Sequence, residues 1–220
     1  MPKIVPNAMG LMQAASEGHL SEVRCLLSQE MDITQAEDHS QKRTALHYAL
    51  ILPILFDNSI RESKLAIAQL LIGRSPEILA SQDVAGDTAM HLMAVYGWED
   101  LLEMILKDNP DYAIHLFLAN NQGELPIHAA IANQREAVVE QLLEYEPMDS
   151  IVDGSGNTLL HHAAMANNRD AIQCIMKRAT VDVHAINSDG KTALDIAKMN
   201  HFGSLFPLLD GHLSSSSMMR

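Results

Sequence analysis

Cysteine is scarce in this 220-residue chain, with only Cys25 and Cys174 present. Two thiols cannot build a disulfide scaffold or a cysteine-rich zinc fold, and their scarcity suits a reducing compartment. Aromatic residues are just 4% of the sequence, with one tryptophan, so the core must be aliphatic and is built from Leu, Ile, Ala, Val and 13 Met. Basic residues are short as well: 15 Lys+Arg stand against 28 Asp+Glu, a net charge of −13. That balance argues against nucleic acid or an anionic membrane as a general partner. Long apolar runs are missing. The longest, Ala49 to Phe56, contains Pro53 and falls far short of the roughly 20 residues that span a bilayer. Met1 to Pro6 has no apolar stretch of the secretory-signal kind. A soluble, cytoplasmic protein is expected. With 47% apolar residues, wholesale disorder is not.

What is present repeats. One phrase recurs as Thr44-Ala45-Leu46-His47, Thr88-Ala89-Met90-His91, Leu125-Pro126-Ile127-His128, Thr158-Leu159-Leu160-His161 and Thr192-Ala193-Leu194-Asp195, after a degenerate copy at Met9-Gly10-Leu11-Met12. The starts lie 35, 44, 37, 33 and 34 residues apart. A second apolar pair follows each start: Leu26-Leu27, Leu70-Leu71, Ile105-Leu106, Leu142-Leu143, Ile175-Met176 and Leu208-Leu209. Threonine before an apolar run suits a helix N-terminus, where a hydroxyl satisfies orphan amides. Pro126 falls in a first turn, where its missing N–H costs nothing. Val138, Leu142 and Leu143 show helical apolar spacing, with Glu136 and Glu140 left outside. Each unit alone buries too little, so stability must come from stacking.

On these phrases, with Gly18-His19-Leu20 ahead of Val23, Leu26 and Leu27, and with Gly86-Asp87-Thr88 and Gly190-Lys191-Thr192 at hairpin-to-helix starts, the chain resembles the ankyrin repeat family. The resemblance implies an all-α solenoid of stacked helix-turn-helix units with short β-hairpin loops. It implies a tail at 1–6, a repeat domain at 7–210 and a disordered tail at 211–220. The repeats fall near 7–38, 39–82, 83–119, 120–152, 153–186 and 187–210.

The histidines invite a metal reading. His47, His91, His128 and His161 keep step with the repeat, so they form a ladder and do not converge on one ion. By resemblance, each bonds backbone near the adjacent hairpin. No H-E-x-x-H, C-x-x-C or EF-hand loop occurs, and no metal or other cofactor is expected. Asp195 and Lys198 in the last repeat read as polar substitutions facing water. Cys25 and Cys174 occupy equivalent places in their second helices and read as core thiols.

Departures from the period carry further information. The second repeat holds about nine extra residues within the region Ile51 to Arg61, which is apolar where such turns are normally short and polar. They form either an extended helix pair packed on its neighbours or a protruding surface at Ile54, Leu55 and Phe56. Pro53 should end the first helix. Residues 77–153 hold 15 acids against Lys107 and Arg135 alone, the whole charge excess. That stretch is either solvated helix faces or a dock for a basic segment of a partner.

Resemblance places binding on the concave side, at hairpin tips and exposed faces of first helices. The candidates are Val84, Asp87, Val95, Tyr96 and Trp98 in the third repeat, and Asn121, Gln122, Glu124 and Asn133 in the fourth. Ser155, Asn157, Met165 and Ala166 follow in the fifth, then Ser188, Lys191 and Met199 in the sixth. Trp98 is either a binding hot spot or a packing residue across its turn. No catalytic motif is present. The expected function is that of a non-enzymatic, monomeric scaffold binding a partner protein. Its Met-, Asn- and Gln-bearing repeats look like those of bacterial effectors exported into the host cytoplasm. An endogenous inhibitor or assembly factor with a same-cell partner is the alternative, and a metal-dependent hydrolase a remote one.

Overall fold

The computed structural model describes residues 6–29, 31–52, 58–145, 151–178 and 181–210. Ile54, Leu55 and Phe56 of the insertion and the tail at 211–220 lie outside them. The chain divides into two compact units, residues 1–121 and 122–220.

The first unit contains three helix pairs: α1 (Pro6–Glu17) with α2 (Leu20–Leu27), α3 (Ala45–Leu50) with α4 (Asn58–Arg74), and α5 (Ala89–Tyr96) with α6 (Glu99–Asp108). The first helices stack, α1 on α3 and α3 on α5. Pro76–Ala80 and Pro110–Phe117 are 3-10 turns that follow α4 and α6. The second unit pairs α7 (Pro126–Ala132) with α8 (Glu136–Leu142), α9 (Leu159–Met165) with α10 (Arg169–Met176), and α11 (Ala193–Met199) with the four-residue α12 (Phe206–Leu209). There α7 packs on α9 and α9 on α11. Alanines at the contacts, among them Ala49, Ala94, Ala130, Ala163 and Ala197, are buried and let the backbones approach. Of the hairpins between pairs, only the isolated bridges Glu37–Thr44 and Val152–Thr158 have β pairing among the described residues.

Each histidine of the ladder starts its own helix. The backbone N–H groups of Thr44, Thr88, Leu125 and Thr158 donate to Nδ1 of His47, His91, His128 and His161 at 3.2, 3.2, 2.9 and 3.1 Å. With Nδ1 accepting, Nε2 carries the proton. It donates to the next hairpin from His47 to the Asp87 carbonyl at 3.1 Å, and from His161 to the Lys191 carbonyl at 2.8 Å. Asp195 does more than face water: its carboxylate accepts from Thr192 N at 3.0 Å, taking over the capping task of the imidazole.

The extra residues of the second pair lengthen α4, which runs 17 residues from Asn58, while α3 stops after six, short of Pro53. The early stop leaves carbonyls at the C-terminus of α3 to be satisfied. Lys64, 1% exposed, donates from Nζ to the Tyr48 and Ile51 carbonyls, both at 2.9 Å. The two cysteines are not core residues as expected. Cys25 is exposed, and Cys174 is half-buried with its Sγ donating to Glu140 Oε1 at 3.3 Å, because each stands on the outward side of an amphipathic helix.

The corner between paired helices needs one residue with positive φ. Gly97 fills it at φ 68°, but Gln134 at φ 55°, Asn167 at φ 50° and His201 at φ 60° fill it without glycine. Gln134→Gly is therefore expected to stabilise the second unit by about 1 kcal/mol, as read from the urea midpoint.

Candidate protein-binding surface

The hairpins are built on side-chain anchors. In the first unit Asp83 Oδ1 accepts from Ala85 N at 2.8 Å and Asp87 N at 3.1 Å, and Asp38 does the same for Ser40 N and Gln41 N. In the second unit Asp153 Oδ1 accepts from Ser155 N and Asn157 N, both at 2.8 Å, and Asn187 Oδ1 from Asp189 N and Lys191 N at 3.0 and 3.1 Å. These short side chains mimic a backbone turn and fix its shape. Two acids of the acidic stretch, Asp83 and Asp153, are thus internal anchors. Burial alone would raise the Asp153 carboxyl, but hydrogen bonds from Asn157 and Ser155 outweigh it and hold it below the ordinary carboxylate value.

Successive tips are tied in a fixed register. Val84 N donates to the Gln41 carbonyl at 2.8 Å, Asn121 N to Ala85 O at 3.0 Å, and Ser188 N to Ser155 O at 3.0 Å. The approach is close: a Cβ on Gly86, itself at φ 82°, would come within 2.7 Å of Asn121 N.

The candidate residues separate by what their side chains already do. In the first unit Val84 is 52% exposed, and Val95 and Tyr96 are half-buried on α5. Asp87 accepts from Asn120 Nδ2 at 3.0 Å, and Asn121 Nδ2 donates to the Val84 carbonyl at 3.0 Å. Trp98 is 2% exposed and presents no surface to a partner. Its indole N–H donates to the Leu50 carbonyl at 2.8 Å, and the Arg61 guanidinium lies 4.4 Å from its ring centroid. Asn168, at the matching place in the second unit, donates to the Ile131 carbonyl at 3.0 Å. Leu50 and Ile131 each stand six residues after the start of their repeat phrase, so this register correspondence was the available signal for Trp98's structural task.

In the second unit Gln122 and Asn133 are exposed and Glu124 is half-buried; Asn133 Nδ2 donates to the Ala129 carbonyl of its own helix. Six candidates converge: Ser155, Asn157, Met165, Ser188, Lys191 and Met199 line one groove of about 330 Å³. Asn187, Asp189, Ile196 and Asn200 complete it. Met165 and Met199 are 41% and 59% exposed, and α9 and α11 end in these residues. No cluster of three or more metal-binding side chains occurs among the described residues, and no described helix is long and apolar enough to cross a membrane.

Residues 58–150 match a family model of ankyrin repeats in three copies, and residues 155–185 match one of a single ankyrin repeat. The chain belongs to the ankyrin repeat family. Its fold is all-α, as the repeat phrases imply. The ankyrin repeat protein EF0377, a solved structure, superposes with a TM-score of 0.72 over 96% of this chain and 99% of its own, at 20% identity. The ANK repeat-containing protein nipk-1 of Caenorhabditis elegans is 27% identical over 56% of this chain and 21% of its own length. The NF-kappa-B p105 subunit of Rattus norvegicus is 29% identical over 64% of this chain and 15% of its own. Rabankyrin-5 of Mus musculus is 26% identical over 52% and 10%. The matches thus span about a fifth or less of these relatives. Ankyrin repeats are protein–protein interaction modules, and the surface above is where such a module meets solvent.

Proposed function

We propose that this chain is a non-enzymatic binding module that takes a segment of a partner protein into the groove of its second unit. The observation that carries this is the groove itself, where six residues chosen by repeat register line one cavity. At about 330 Å³ it sits at the small end of the range for ligand sites, roughly 300–1,000 Å³. That size suits one or two side chains of a partner. Two exposed thioethers provide a deformable apolar seat, and the tips of the two hairpins provide a polar rim. In the first unit, Val84 and Tyr96 offer a second contact area. The acids of residues 77–153 that are not turn anchors would speed the approach of a basic partner, an effect that salt weakens.

Met165→Glu combined with Met199→Glu puts two carboxylates on the seat. A partner captured from lysate by the wild type, and identified by mass spectrometry, is expected to lose more than about tenfold in retention on this variant. Equal retention, with unchanged far-UV circular dichroism, would move the site away from the groove. Tyr96→Ala tests the first unit in the same way.

A further inference from the structure

One buried group near the groove lies outside the histidine ladder. His162 follows the ladder histidine on α9, is 8% exposed, and does not cap its helix. Its Nε2 lies 3.0 Å from Asp153 Oδ2. The same oxygen accepts from Asn157 Nδ2 at 2.9 Å. Asn157 Oδ1 in turn accepts from Asn187 Nδ2 at 2.8 Å, and Asn187 Oδ1 holds the amides of Asp189 and Lys191. A continuous chain of hydrogen bonds therefore runs from a buried imidazole through one hairpin anchor into the next. Asn157, Asn187, Asp189 and Lys191 all line the groove.

We propose that His162 is a positioning residue for this groove: by holding the Asp153 carboxylate it sets, through Asn157 and Asn187, the spacing of the two hairpins between which the partner segment seats. This deepens the binding reading above and rests on it only for the final step, from groove geometry to affinity. The chain of bonds is directional. Asp153 has both oxygens filled by four donors, so its orientation is fixed only while all four are present. Loss of the imidazole donor frees Oδ2 to rotate toward water. Asn157 then loses the acceptor that holds its amide, and with it the orientation that presents Oδ1 to Asn187. Networks of this kind stiffen when complete and loosen as a unit when one member is missing.

The surroundings of His162 make the device sensitive to acid. The charged and titratable groups facing it are Asp153 and Glu124 from the hairpins, His128 from α7 with its ring centroid 4.4 Å away, and His161 on its own helix. Burial keeps the imidazole below the ordinary histidine value, and Asp153 only partly offsets this. At neutral pH His162 is an uncharged donor. Protonation puts a charge against the His128 ring in a site that excludes water.

The test needs no partner. Backbone amide exchange at Asp189 and Lys191, and the methyl signals of Met165 and Met199, are followed by NMR on the full chain. In His162→Ala the two amides are expected to exchange about tenfold faster, the size of one lost hydrogen bond, and the Met199 methyl to shift. His162→Gln, whose amide nitrogen can stand where Nε2 stood, is expected to restore both. Between about pH 7.5 and about pH 5, a span that covers histidine titration, the wild-type signals should move together and those of His162→Gln should not. A folded His162→Ala that leaves Asp189, Lys191 and Met199 unchanged overturns the proposal, as does His162→Gln titrating like wild type. Should His162→Ala fail to fold, Asn157→Ala cuts the chain while sparing the backbone bonds to Asp153. The titration should then persist at Ser155 and vanish at Asp189 and Lys191, and its persistence there overturns the proposal. A chain showing this relay whose groove binds nothing would defeat the binding reading alone.

Discussion

Trp98→Ala is expected to cost the first unit about 4 kcal/mol, the scale of a large aromatic lost from a packed core. Three things go at once. The indole leaves a cavity beneath the corner that joins α5 to α6. The Leu50 carbonyl at the end of α3 loses its donor, at 2.8 Å in the intact structure. The Arg61 guanidinium loses the ring it lies over, 4.4 Å away, and keeps its hydrogen bond to the Gly97 carbonyl at 2.6 Å. Trp98→Phe separates the contributions: most of the packing stays and the N–H does not, so a loss of about 1–3 kcal/mol is expected from the orphaned carbonyl. Urea denaturation followed by circular dichroism measures both. A Trp98→Ala protein within about 1 kcal/mol of wild type would show that the indole packs loosely. The practical consequence is that truncating Trp98 cannot report on binding, since any lost partner would be lost with the fold. Tyr96, half-buried at the end of α5, can be truncated without that confusion.

The second large effect belongs to Lys64, a cation buried to 1% exposure beneath α3. Burial brings its ammonium down to about 8, whereas an unfolded chain keeps lysine near about 10.4. The sign follows from proton counts. Below pH 8 both states hold the proton, and the folded state carries the full cost of burying it. Between about 8 and about 10 the folded state has released the proton and the unfolded state has not, so the unfolded state binds more and stability rises with pH. The rise is on the order of 1 kcal/mol per pH unit. Above about 10 the Tyr48 phenol, raised by burial and by its bond to Asp38, begins to oppose it. Lys64→Met is expected to abolish the rise between about pH 8 and about pH 10. It should also lower stability at about pH 7 by about 2–3 kcal/mol, because the Tyr48 and Ile51 carbonyls are left without donors. Urea midpoints across pH for the two proteins decide it. A wild type whose stability is flat over that window would mean that the ammonium stays charged in the fold.

These two residues show where sequence reasoning runs out. The helices and their stacking were legible because the period is carried by many coupled positions, the Thr-x-x-His phrase and the apolar pair that follows it. A core task carried by one residue has no such redundancy. Trp98 has its counterpart in Asn168, a chemically different side chain making the same bond two repeats further on, and similarity of residue type could not reveal it. Asp83 and Asp153 were counted as surface charge, although each is spent inside its own turn. The cysteines stand beside apolar pairs in sequence, but one residue turns about 100° around a helix, and that step carries each toward solvent. The groove was better served. Six of its residues follow from register, since tips and helix ends at the same phase of successive repeats are brought side by side by stacking, whereas Asn187, Asp189, Ile196 and Asn200 were not among the candidates.

The capping histidines have a consequence for anyone who would lengthen this array. His47 and His161 each serve two masters, their own helix through Nδ1 and the following hairpin through Nε2. A carboxylate can serve only the first. Asp195 stands in the helix whose pair is followed by no further hairpin among the described residues, and it closes its cap through Thr192. Grafting another repeat onto α11 would therefore present a hairpin carbonyl with no side chain to donate to it. The graft should come with Asp195→His, a single edit that turns a terminus into a splice.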